Sequence, residues 1–220
     1  GANTIGAVFG CILAGFVWIP AFGLTTTSAI AAGLNIAIAC GAFAIAVGHR
    51  VSVPEPSAKA KRGRLSTAVR LAALTYAVSG FTAMGYEVLW TRALEHYTHN
   101  STYAYTAMLA TFLAGLGVGS AVCSRVADRF RDPLFAVGVI QIAIGFAVLV
   151  ALRIYMGFDA FVPAAAAQIG GLTSWRQVVV LMFTETGLTM LVMSLLLGAM
   201  FPLVARVAVD SLDSVGERIG

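Results

Sequence analysis

Six stretches of apolar residues, set apart by short polar breaks, limit this chain more than any other feature of it. They occupy positions 3–19, 29–48, 68–90, 102–122, 134–156 and 177–201. At about 1.5 Å per helical residue, about twenty such residues cross the hydrocarbon core of a bilayer. Only 11% of the residues are charged and 59% are hydrophobic, whereas a soluble domain is typically about a quarter charged. A backbone in lipid must satisfy its own polar groups, so continuous apolar blocks mean helices, and the missing alternation excludes a barrel. The expected fold is all-α and integral to the membrane, with six transmembrane helices.

Between the second and third runs the composition changes abruptly. Positions 50–66 carry Pro54 and Pro56, then Lys59, Lys61, Arg62 and Arg64, which reads as a polar, basic linker. The expected organisation is two helices over 1–49, the linker over 50–66, four helices over 67–209 and an amphipathic segment over 210–220. Both ends of the sequence read as cut, so the chain is expected to be a piece of a longer protein.

Arginine and lysine set the orientation. Eleven of the fourteen lie in the 50–70 linker region, the 123–132 loop or the 203–220 tail, and only Arg92, Arg153 and Arg176 lie on the opposite side. The two sets alternate as six spans require, so the positive-inside rule predicts cytoplasmic chain ends and a cytoplasmic linker in a plasma membrane. The net charge of +4 is thereby explained by topology and contact with anionic lipid. No stacking module or basic groove accompanies it, so nucleic acid is not an expected partner. Cys11, Cys40 and Cys123 follow no pairing or metal-binding pattern and read as small packing residues.

Two acidic residues interrupt the apolar runs. Glu185 lies about 14 Å along a helix from Trp175, close to the membrane midplane, with Thr189 one turn on. A carboxylate there is expensive and points to a proton or cation site. The plain structural alternative is a neutral glutamic acid hydrogen-bonded to another helix. Glu87 stands near the outer edge of the third run, beside Trp90 and Arg92. It could serve a cation or proton, or pair with an arginine while Trp90 sits in the interfacial aromatic belt.

The remaining features are weaker. Arg125, Asp128, Arg129 and Arg131 form a cytoplasmic cluster that reads as interfacial anchors or as a charge-paired latch between helices. Gly115, Gly117 and Gly119 lack the preceding strand and following acid of a dinucleotide site, so Gly115 and Gly119 read as a helix-packing face, as do Gly6 and Gly10. Glu95, His96 and His99 form too small a set to predict a metal. No nucleotide loop, nucleophile elbow or cofactor-binding pattern is present in the sequence.

Two resemblances follow from the motifs. The segment SRVADRFRDP over 124–133 resembles the loop motif of major-facilitator transporters at Asp128, Arg129 and Arg131, although the glycines usual around the aspartate are missing. More of the chain is similar to bacterial membrane proteins fused to a spermidine-synthase-like (aminopropyltransferase) domain. The similarity runs through ANTIGAVFGCILAGF, GYEVLWTRAL, TYAYTAMLATFLAGLGVGS and LLLGAMFPLVAR, and its signature includes Gly85, Tyr86, Glu87, Trp90 and Arg92. The resemblance implies a major-facilitator-like bundle fragment that anchors an enzyme domain and passes a polyamine or related cation. It further implies additional helices and a C-terminal soluble domain in the parent protein, with the aminopropyltransferase chemistry confined to that domain. A free-standing secondary transporter and a purely structural anchor are the alternatives.

Overall fold

The computed structural model describes residues 2–48, 67–98, 101–168 and 171–217. The basic linker over 50–66 and His99 lie outside the described residues. All the described elements are helical: α1 (Ala2–Leu13), a π segment (Ala14–Trp18), α2 (Ile19–Gly48), α3 (Thr67–Thr98), α4 (Thr102–Val126), a 3-10 turn (Ala127–Arg129), α5 (Pro133–Tyr155), α6 (Phe158–Gln168), α7 (Trp175–Thr186), a second π segment (Gly187–Leu191) and α8 (Val192–Glu217). Among the described residues four segments are long and apolar enough to cross a membrane: Asn3–Val47, Thr102–Arg129, Pro133–Tyr155 and Trp175–Val209. The first has 45 residues, the length of two crossings at about 1.5 Å per residue. It breaks at Gly23, whose φ of 76° is a left-handed value that favours glycine. α3 has 32 residues, but Arg70, Glu87, Arg92 and Glu95 make it more polar, and it is not among the four.

Several expected loops are helical. The 91–101 stretch continues α3 to Thr98, and the loop expected over 157–176 contains α6. The sixth run does not stop at Pro202: α8 carries that proline inside it and runs on to Glu217. A proline removes one N–H and leaves the carbonyl four residues back without its usual donor, but Leu203 and Val207 beyond it are buried, and their packing carries the helix through. Where helices do start, the caps are local. Ser101, Asp132 and Ser174 each accept a hydrogen bond from a backbone N–H three residues on, and Ser174 with Gln177 completes a capping box. Each cap satisfies an N–H that a helix start leaves bare.

The chain divides into two compact units, Leu13–Leu65 and the combination of Gly1–Ile12 with Ser66–Gly220. In the first, α2 is apolar and its side chains are almost all exposed, with Thr27 and Ser28 hydroxyls returning hydrogen bonds to Gly23 and Leu24 carbonyls beyond the break.

The larger unit holds the core. Its centre is the contact of α4 with α8, where backbones touch. A Cβ built on Gly115 would overlap the Ser194 side chain, on Gly119 the Leu195 carbonyl, and on Gly198 the Leu116 carbonyl. Small residues allow this approach, and in lipid, where no hydrophobic effect drives helices together, close packing holds them. The expected face of Gly115 and Gly119 is therefore in use. Gly6 and Gly10 are not used this way and face open space; α1 instead meets α4 through Thr4, against Gly117, and Cys11, near the Thr106 carbonyl. Pairings along α4 and the α7–α8 rod rise together, Thr111 with Thr186, Gly115 with Ser194 and Ala127 with Arg206, so the two run parallel. α3 runs antiparallel to them, with Tyr76 against Phe201 and Tyr97 near the start of α7.

Candidate functional site

The α7–α8 rod changes pitch where its polar residues gather. Glu185, Thr186 and Thr189 lie at the junction of α7 with the π segment, and all three are buried, Glu185 at 2% exposure. A π turn carries an extra residue and disturbs the ordinary carbonyl pairing, and such turns are frequent at functional sites. Here the Gly187 N–H meets both the Phe183 and Thr184 carbonyls, and the Thr189 hydroxyl donates to the carbonyls of Glu185 at 2.9 Å and Thr186 at 3.3 Å. Thr189 thus secures the backbone beneath Glu185 rather than its carboxylate. Thr186 reaches across to Thr111 of α4, hydroxyl to hydroxyl at 3.2 Å. Thr184 points outward and bonds back to Val180.

The Glu185 carboxylate has no hydrogen-bond donor among the described residues. It lines a cavity of about 360 Å³ together with Leu181, Met182 and Val178 of α7, Val162 of α6, Leu172, and His96 and Tyr97 of α3. The lining runs from buried Glu185 to exposed His96 and Leu172, so the carboxylate is reached from the end of α3. That volume lies at the small end of ligand sites.

An aromatic wall stands beside this route. Tyr97 packs edge-on against Tyr155 and Phe158, each at 5.6 Å between centroids, and Trp90 against Tyr155 at 6.1 Å. Tyr97 donates its hydroxyl to Asp159 of α6 at 2.8 Å, and Tyr155 donates to the Ala93 carbonyl. The bond to Asp159 pushes the Tyr97 phenol up to about 12, because the carboxylate stabilises the protonated partner. Neither Asp159 nor this wall was legible as a site feature in the sequence, since Tyr97 and Asp159 are 62 residues apart.

The other expected site residues separate. Glu87 is half-buried on α3, with its carbonyl accepting from Thr91, while Gly85 is exposed and Tyr86 half-buried. Arg92 pairs with Glu95 at 3.2 Å, not with Glu87. Trp90, expected to face a membrane interface, is 1% exposed inside the helix cluster, and its indole N–H has no acceptor among the described residues. In the charge cluster around Asp128, that residue meets Arg206 of α8 at 3.4 Å, and Arg206 also donates to the Ala127 carbonyl. Arg125 turns back onto its own helix at Ala121, and Arg129 and Arg131 are exposed. A link between helices is thus present, but its cation is Arg206. Among the described residues no group of His, Cys, Asp and Glu could hold a metal ion. Comparison with known proteins finds no matching family model, no matching curated protein and no matching solved structure.

Proposed function

We propose that this chain is the membrane-embedded part of a spermidine-synthase-like fusion protein, a major-facilitator-like fragment of six spans in a bacterial plasma membrane. In this reading it anchors the enzyme domain and takes an organic cation, a polyamine or a related amine, at Glu185. The linker and both chain ends face the cytoplasm. The observation that carries the cation reading is the buried carboxylate itself. An ionisable group deep in an apolar span costs about 3 kcal/mol, and Glu185 has no partner among the described residues to offset that cost while standing at the base of a cavity. A bound cation supplies the missing partner, and a proton is its natural competitor.

The test is uptake by proteoliposomes carrying the full chain, with labelled spermidine and labelled methylamine as probes. Glu185→Gln keeps the shape of the side chain and is expected to reduce uptake at least about tenfold, the loss of one charge-assisted contact. Uptake by the variant equal to wild type overturns the reading.

A further inference from the structure

The cavity's lining bears on which cation fits. At its buried end is one carboxylate, Glu185, and the walls above it are Val162, Val178, Leu181, Met182 and Leu172. Among the described residues no other carboxylate lines the cavity. Asp159 accepts the Tyr97 hydroxyl at 2.8 Å, Glu95 pairs with Arg92 at 3.2 Å, and Glu87 does not line the cavity. At the mouth, Tyr97 presents an aromatic ring, which attracts a cation in passing. His96 packs edge-on against Tyr97 there. A ligand with several ammonium groups would hold its second one against these aliphatic walls, and a charge buried without a partner is strongly disfavoured.

We infer that the cavity takes a single ammonium group carried on an apolar body, a primary monoamine with an aliphatic or aromatic tail, in preference to a polyamine. The ammonium pairs with Glu185 and the tail lies along Val178, Leu181 and Val162 toward the mouth. This rests on Glu185 as a cation site and narrows the class of cation.

The experiment is calorimetric titration of the full chain in nanodiscs with hexylamine and with the diamine of the same carbon chain. Hexylamine is expected to bind at least about tenfold tighter, because the diamine must bury an unpaired charge. Glu185→Gln is expected to abolish both signals. A second variant, Val178→Phe, leaves the carboxylate untouched and narrows the apolar wall. It is expected to weaken hexylamine about tenfold and propylamine by no more than about twofold, since only the longer tail reaches that wall. Equal or tighter binding of the diamine, lost in Glu185→Gln, overturns the single-ammonium inference and leaves the cation site standing. An unaltered hexylamine affinity in Val178→Phe likewise overturns the placement of the tail. Absence of amine binding by the wild type, or binding that survives Glu185→Gln, overturns the cation site as well.

Discussion

Tyr97 lies beyond Trp90, where the apolar run of α3 ends, and its hydroxyl bond to Asp159 ties α3 to α6. The bond favours the neutral phenol, with the folded state ionising at about 12 and an unfolded tyrosine at about 10. Stability from this pair is therefore complete below about pH 10, and it is lost as pH rises from there through about 12, where the unfolded chain releases its proton first. Spectrophotometric titration of phenolate in detergent should find one tyrosine still protonated at about pH 11. Asp159→Ala should return that residue to the ordinary range, and an unchanged titration curve would show that the bond does not form in solution. Sequence alone identified Glu185 because a carboxylate in an apolar run is conspicuous. It did not identify Tyr97 or Asp159, which are ordinary residues for a helix end and become significant only when brought together.

At the scale of the element, the α4–α8 contact depends on glycines with no room for a Cβ. Gly119→Ala should destabilise the bundle by about 1–3 kcal/mol through overpacking against the Leu195 backbone, measured by equilibrium unfolding in mixed micelles. Gly6→Ala, facing open space, is the control and should be nearly neutral. At the far end of the same pair, the two partners of the Asp128–Arg206 contact are unequal. The Asp128 side chain is 95% exposed and that of Arg206 only 24%. An exposed ion pair contributes about 0–1 kcal/mol, so Asp128→Asn should change little. Arg206→Ala also removes the guanidinium bond to the Ala127 carbonyl, which keeps the Phe130 N–H as its other donor, and should cost about 1 kcal/mol more. Equal effects of the two variants would mean that the ion pair, not the carbonyl bond, carries the link.

For the whole molecule, the outer surface is as informative as the core. Phe81 is 80% exposed, Phe135 71% and Phe9 70%, in a unit whose centre is small and polar around Thr111, Thr186 and Ser194. Large exposed apolar area suits lipid and is rare on a soluble monomer. The proposed orientation puts Asp128 on the cytoplasmic side and Arg92 outside. Both side chains are open to reagent, at 95% and 78% exposure. In a background with Cys11, Cys40 and Cys123 replaced by alanine, a membrane-impermeant maleimide should label Arg92→Cys in intact cells and Asp128→Cys only after permeabilisation. The reverse pattern would invert the topology.

Much of this protein follows from local rules. The helical class, the position of each apolar run and the packing use of Gly115 and Gly119 can be read along the chain, because span length and small-residue spacing repeat within a few residues. Tertiary structure decided what those rules do not reach. Thr111 meets Thr186 across 75 residues of sequence, and Arg206 meets Ala127 across 79. Gly6 and Gly10 have the same small-residue spacing as Gly115 and Gly119 but meet no neighbour among the described residues. Trp90 looks interfacial from its flanking charges but is buried by its neighbours. A single chain shows which face of a helix is small or polar. Which helix packs there, and whether a cavity is left beside Glu185, depends on side-chain volumes contributed by α3, α6 and α7 together.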